Sequence, residues 1–169
     1  MIYLILTIFM LLLAGIVLTL MKKAEKTRLI KEIPMNAKPL LSNAELSFYH
    51  VIRSIIPETK EITCKCRLED IISIGNCQEK ESFRNRIKSR HIDFVIFDPN
   101  SGNIEYAIEL DDRSHKTERS HQTDQLKDLI FETVRIPLIR ITARRTYDIN
   151  EIKRILNKAA SSSAYRLTS

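Results

Sequence analysis

The chain has 169 residues, of which 44% are hydrophobic and 28% charged, so most of it is expected to fold as one domain with an appendage. The formal net charge of +6 fits a polyanionic partner, either a nucleic acid or an anionic membrane surface. The sequence has three glycines and no glycine-rich phosphate loop, which excludes the class of P-loop nucleotide-binding proteins.

The three cysteines, Cys64, Cys66 and Cys77, do not suit a disulfide framework because their number is odd. A structural zinc site needs four ligands, and no second cysteine pair or histidine pair accompanies Cys64 and Cys66. We therefore expect reduced thiols, two of them on a strand, in a reducing compartment.

Residues 2–21 are almost wholly apolar and carry no charge. A helix of about 20 apolar residues is what the hydrocarbon core of a bilayer requires. No basic residue precedes this segment, which favours an uncleaved signal anchor over a cleaved signal peptide. Basic residues follow it, beginning at Lys22 and Lys23, so the positive-inside rule places residues 22–169 in the cytoplasm.

Composition divides the chain into four segments. A basic linker that ends at two prolines follows the anchor, because proline does not continue a helix. A serine-rich tail follows the folded domain and is expected to fray. The predicted segments are a transmembrane anchor at 1–21, the linker at 22–37, one domain at 38–160 and a flexible tail at 161–169.

The first predicted helix of the domain begins at Ser42 and ends near Ile56. Ser42 and Glu45 have the spacing of a capping box. Glu45 also falls within about 40° of the apolar stripe of this helix. The glutamate is therefore either a helix cap or a carboxylate directed towards a functional site, and the two roles are compatible.

A strand is predicted next at 61–72, where Ile62, Cys64, Cys66 and Leu68 alternate and form one apolar face. A loop with a polar stretch follows at 73–87. Two further strands, 90–97 and 104–111, then form a hairpin. A five-residue loop between them would pair Asp98 with Ile104.

In that register Asp93 lies directly opposite Glu109, with their Cβ atoms about 5 Å apart. Two carboxylates so placed repel each other unless a cation lies between them. Ligands that are all oxygen atoms suit Mg²⁺ or Mn²⁺. The hairpin therefore predicts a divalent metal site.

A helix at about 121–134, a short strand at 137–142 and a last helix from 149 to about 159 complete the domain. Lys127 lies on the first of these helices. Arg140 lies on the strand, where we expect it to be a structural partner for a carboxylate.

Hydrolysis of a phosphodiester bond needs an activated water and stabilisation of charge on the phosphate, and a metal held by two or three carboxylates supplies both. Asp93, Glu109 and Glu45 are the candidate metal ligands. His115 and Lys127 are candidates for a general base or a phosphate contact.

The stretches PLLSNAELSFYHVI, HIDFVIFD, AIELDDRSH and IPLIRI are similar to the bacterial family catalogued as domain of unknown function 2726, over about residues 38–157. The αβββαβ order resembles the PD-(D/E)XK, or restriction-endonuclease-like, nuclease superfamily, and within it the very-short-patch-repair endonuclease branch. This resemblance implies an α/β fold with a mixed sheet flanked by helices, preceded here by one N-terminal transmembrane helix.

The resemblance also implies roles for individual residues. Asp93 matches the metal-binding aspartate of the superfamily, and Glu109 matches the acid of its (D/E)XK half-motif. Glu45 matches a glutamate of the first helix, and His115 matches a histidine shortly after the motif.

Asp111 is included in the predicted catalytic set, but it departs from the superfamily pattern, because it stands where the lysine of the half-motif is usual. The missing ammonium group would then come from Lys127 or Lys88, or His115 would take its role. If no residue replaces the lysine, the domain binds its partner without catalysing hydrolysis.

The expected function is that of a Mg²⁺- or Mn²⁺-dependent endonuclease acting on DNA, with RNA left open, at the cytoplasmic face of a bacterial plasma membrane. One alternative is a catalytically inactive nuclease-fold module that binds nucleic acid or a protein at the membrane. Another is that the anchor and linker recruit a membrane complex.

Overall fold

The computed structural model describes residues 1–111 and 118–167. The chain forms two units, Met1–Leu40 and Leu41–Ser169. The elements are α1 (Ile2–Glu32), α2 (Asn43–Ile55), β1 (Glu61–Arg67), α3 (Leu68–Ile71), α4 (Lys80–Ile87), β2 (His91–Phe97), β3 (Ile104–Asp111), α5 (Glu118–Thr133), β4 (Leu138–Thr142) and α6 (Ile149–Leu167).

The first unit contains one helix, α1, whose segment Ile2–Lys26 is long and apolar enough to span a membrane, with a mean hydropathy of 2.8. Its 25 residues extend about 37 Å as a helix. The helix continues to Glu32, so most of the predicted linker at 22–37 is helical. It ends before Pro34, because the residue that precedes a proline avoids the helical conformation.

The second unit is built on a four-stranded sheet in the order β1-β2-β3-β4. The first three strands are antiparallel, whereas β4 runs parallel to β3, with α5 as the connection. The prediction of a mixed α/β domain flanked by helices, behind an N-terminal apolar helix, is confirmed.

Each face of the sheet has its own hydrophobic core. One face packs against α2 and α6, and the other against α5 and the short helices α3 and α4. Core residues of the first face include Phe48, Ile52, Phe94, Ile108 and Ile152, and those of the second include Ile87, Val95, Ala107, Leu126 and Phe131.

The start of α2 has both hydrogen bonds of a capping box. The Glu45 backbone N–H donates to Ser42 Oγ at 3.4 Å, and the Ser42 backbone N–H donates to Glu45 Oε2 at 2.7 Å. The helix ends at Ile55, and the extended backbone of Ile56 leads into Pro57.

Two predictions about the segment after β1 are wrong. The strand predicted at 61–72 ends at Arg67, and Leu68–Ile71 form the helical turn α3 with Leu68 fully buried. The loop predicted at 73–87 contains α4. That helix has a weak apolar pattern, since Phe83 and Ile87 alone anchor it to the core cluster under α5.

The hairpin of β2 and β3 has the predicted register over most of its length. Phe94 pairs with Ile108, and Asp93 and Glu109 are the next residues along the two strands. There the Leu110 N–H donates to the Asp93 side chain. The prediction that Asp98 pairs with Ile104 is wrong, because a bulge after Ile96 shifts the pairing by one residue.

The last elements lie close to their predicted positions, but α6 continues to Leu167, where a flexible tail was predicted from residue 161. Residues 160–167 contain neither glycine nor proline, and their alanine and leucine are good helix formers.

Candidate functional site

Lys65 lies at the centre of the first group of charged side chains. Its Nζ atom donates to Asp93 Oδ1 at 2.9 Å and also contacts Glu45 Oε1. The lysine side chain is 24% exposed and each of the two acids 15%. One partly buried ammonium thus joins α2, β1 and β2. Sequence reasoning did not identify this lysine.

The backbone of Lys65 explains how β1 presents this side chain. Its φ angle of 57° lies in the left-handed region, which is costly for a residue with a side chain. Cys64 packs on the core face that α2 and α6 cover, whereas Cys66 packs on the opposite face. The predicted alternation, which put both cysteines on one face, is therefore wrong.

Asp93 uses both of its carboxylate oxygens. Oδ1 accepts from Lys65, and Oδ2 accepts from the backbone N–H of Leu110 at 3.0 Å. Each carboxylate oxygen has a second lone pair. The aspartate therefore fastens β2 to its neighbours and keeps acceptor capacity for a further cation.

Glu109 and Lys127 form a buried ion pair. Lys127 Nζ lies 2.5 Å from Glu109 Oε1, and the two residues are 9% and 6% exposed. Burial raises the pKa of Glu109, and the nearby charge of Asp93 acts in the same direction, while Lys127 and Arg140 oppose the shift. The pKa of Glu109 thus responds to Asp93, as expected for acids on neighbouring strands.

Arg140 on β4 is surrounded by four carboxylates. Its Nη1 lies 3.1 Å from Asp111, 3.5 Å from Asp124 and 3.5 Å from Glu109, while its Nη2 lies 2.9 Å from Asp128. This contact set gives Arg140 the structural role predicted for it. Asp111, which stands at the usual lysine position, is one of its partners.

His91 is a second residue that sequence reasoning missed. This histidine is the first residue of β2 and is exposed to solvent, but neighbouring protein atoms remove part of its hydration. This desolvation lowers the pKa of His91, and the positive charges of Lys65 and Lys127 lower it further, against the attraction of Asp93. The spacing of His91 and Asp93 does not reveal it, because alternation fails here: Ile92 and Phe94, two apart on β2, pack on opposite faces of the sheet.

The structure places five of the six residues predicted for the site in two groups. In the first group, Glu45 and Asp93 both contact Lys65. In the second group, Arg140 contacts Glu109 and Asp111, and Lys127 contacts Glu109. His115 lies outside the described residues. Lys88, the other candidate ammonium, donates to Asn85 Oδ1 at 2.9 Å within its own helical region.

The donor set fits a hard divalent cation, because every candidate ligand is a carboxylate. The predicted ligands are Glu45, Asp93 and Glu109. A second combination overlaps it at Glu109, since ligand atoms of Glu109, Asp111 and Asp124 lie within 4.8 Å of one another. In both combinations lysine or arginine already balances part of the negative charge.

The sequence model of the family described as "Protein of unknown function (DUF2726)" matches residues 37–160, so the chain belongs to this family. No curated protein and no solved structure matches the chain.

Proposed function

We propose that the protein is a membrane-anchored, metal-dependent endonuclease of the PD-(D/E)XK type that hydrolyses DNA phosphodiester bonds. The observation that supports this most is the placement of Asp93 and Glu109 on adjacent strands, each in direct contact with a lysine. Acids and ammonium groups concentrated at one sheet end match the charge requirements of phosphodiester hydrolysis.

Mg²⁺ or Mn²⁺ bound by Asp93 and Glu109, with Glu45 beside Asp93, would supply Lewis-acid stabilisation of the phosphate and a more acidic water. Lys65 and Lys127 hold positive charge next to these acids and so favour the approach of a phosphate. His91 has a lowered pKa and is neutral at pH 7, so it can accept a proton from the attacking water.

The lysine missing at position 111 is replaced in this proposal by Lys127. It reaches Glu109 from α5, whereas Asp111 is engaged by Arg140. Lys65 provides a second ammonium from the edge strand. The proposed arrangement therefore draws its cations from β1 and α5 and not from β3.

The test is nicking of supercoiled plasmid by the full-length protein in non-ionic detergent, with millimolar Mg²⁺ or Mn²⁺. Asp93→Asn should reduce the rate by at least about 100-fold, the scale of losing one group that stabilises transition-state charge. The matched control is Glu105→Gln, an acid on β3 that is more exposed and pairs with Lys60. Equal rates for wild type and Asp93→Asn at matched purity would contradict the proposal.

A second candidate is a nuclease-fold module that binds DNA without cutting it. It is favoured by the ion pairs themselves, because Lys65, Lys127 and Arg140 compensate the acids without a metal. This candidate predicts salt-dependent DNA binding in EDTA that survives Glu109→Gln. Metal-dependent nicking that requires Asp93 would contradict it.

A further inference from the structure

The segment from α4 to the start of β2 is a basic surface next to the proposed site. From Lys80 to Arg90, inclusive, the sequence has five lysines and arginines and a single acid, Glu81. Within α4 itself Ile87 is buried and Phe83 half-buried, and the other side chains of the helix are exposed. The basic groups of this helix therefore face solvent.

Three of these cations have neutral partners. The Arg86 guanidinium lies 5.9 Å from the centre of the Phe83 ring, and Lys88 donates to the Asn85 side chain. Arg90 donates to the Arg86 carbonyl at 2.6 Å and to Thr123 Oγ1 at 2.7 Å. Among the side chains that the structure describes, no carboxylate lies within ion-pair distance of any of the three. Their charge is available to an external anion.

This basic surface, Arg86, Lys88 and Arg90, borders the acidic site directly. Arg90 immediately precedes β2, which carries His91 and Asp93. Its bond to Thr123 also ties it to α5, one helical turn before Lys127. A chain of phosphates lying along the basic surface would therefore continue towards Asp93 and Lys127.

We infer that Arg86, Lys88 and Arg90 form the phosphate-backbone contact that positions duplex DNA at the proposed site. This inference rests on the proposed function, since it takes DNA as the substrate. The complementary charge is a row of phosphates, and backbone contacts of this kind position a nucleic acid without reading its sequence. Binding through this surface is expected to be insensitive to DNA sequence and sensitive to salt.

The experiment measures binding of the full-length protein, in non-ionic detergent with EDTA, to a fluorescein-labelled duplex by anisotropy across a salt series. The test variant is Arg86→Gln/Lys88→Gln, which spares Arg90 and its bond to α5. The matched control is Lys153→Gln/Lys158→Gln, which removes the same charge from exposed positions of α6.

The test variant should make the negative slope of log affinity against log salt shallower by about 1.8, because each lost phosphate contact removes about 0.9 from its magnitude. The control should keep the wild-type slope. An unchanged slope in the test variant, or an equal loss in both variants, would overturn the inference. Preserved α4-dependent binding without metal-dependent nicking would instead contradict the catalytic proposal and leave this inference standing.

Discussion

The Nζ atom of Lys65 lies 2.9 Å from Oδ1 of Asp93, on the neighbouring strand, and the same ammonium contacts Glu45 at the start of α2. The glutamate is at once a capping residue and a partner of the site, because its two oxygens have different donors. The helix start and the acidic strand are thus held by one cation.

Lys65→Met should destabilise the protein by about 2 kcal/mol, within the range for hydrogen bonds to charged groups, because two partly buried acids lose their common donor. The measurement is equilibrium urea unfolding in detergent. Lys153→Met, at an exposed position of α6, is the matched control and should stay within about 0.5 kcal/mol of wild type.

The variant Lys65→Gly distinguishes the stability lost with the ion pairs from the cost of the strained backbone. Glycine adopts a φ angle of 57° without steric cost, so this variant should be less destabilised than Lys65→Met. Greater loss of stability in Lys65→Gly than in Lys65→Met would contradict the assignment of strain to this residue.

Lys127→Met should cost about 3 kcal/mol, at the lower end for breaking a buried ion pair, since Arg140 remains 3.5 Å from the other oxygen of Glu109. The double variant Glu109→Gln/Lys127→Met removes the buried charge as well. It should be more stable than Lys127→Met alone in the same unfolding measurement. Additive losses from the two single substitutions would show that the pair is not coupled.

The turn at Asp98 should make the stability of the protein decrease as the pH falls into the acid range. The backbone N–H of Asn100, the ammonium of Lys60 and the N–H of Ser101 lower the pKa of Asp98 below its ordinary value of 3.8. An acid with a lowered pKa contributes stability above its ordinary value, and that contribution is lost as the pH falls through its folded-state pKa.

Asp98→Asn keeps a side-chain oxygen for the turn but cannot titrate. The stability difference between wild type and variant should therefore be largest near neutral pH and should shrink as the pH falls below 3.8. Thermal melts across this range measure the difference. A gap that stays constant from neutral to acid pH would rule out the contribution of Asp98 ionisation.

Cys77 offers a test of membrane sidedness, because it is exposed whereas Cys64 and Cys66 are half-buried. If residues 22–169 are cytoplasmic, a membrane-impermeant maleimide should label the protein after membrane disruption and not in intact spheroplasts. Cys77→Ser should remove most of the labelling. Labelling of Cys77 in intact spheroplasts would place the domain on the outer side.

Residue spacing and turn residues predicted the parts of the fold that neighbouring residues in the sequence determine. Ser42 and Glu45 gave the capping box by spacing alone, and Pro57 marked the end of that helix. The register of Phe94 with Ile108 followed from the hairpin pattern, and the bulge near Phe97 altered it at the turn. Such features need no knowledge of distant parts of the chain.

The features that were missed depend on tertiary contacts or on an unusual backbone conformation. α4 is stabilised by two apolar residues that pack under α5, too few to give a clear period. Lys65 reaches Asp93 from a strand where regular alternation fails at a positive φ angle, which a lysine does not signal in a sequence. The partners of Arg140 come from β3 and α5, and their identity required the parallel pairing of β4.

The left-handed backbone of Lys65 has a further consequence, because β1 forms one edge of the four-stranded sheet. A flat edge strand exposes unpaired backbone groups to which a strand of another molecule can add. The helix α1 is long and apolar enough to span a membrane, and in a membrane it would confine copies of the protein to one plane and so raise their encounter rate. The irregular backbone and the charge at Lys65 interrupt this edge, and they oppose strand-to-strand aggregation where crowding would most favour it.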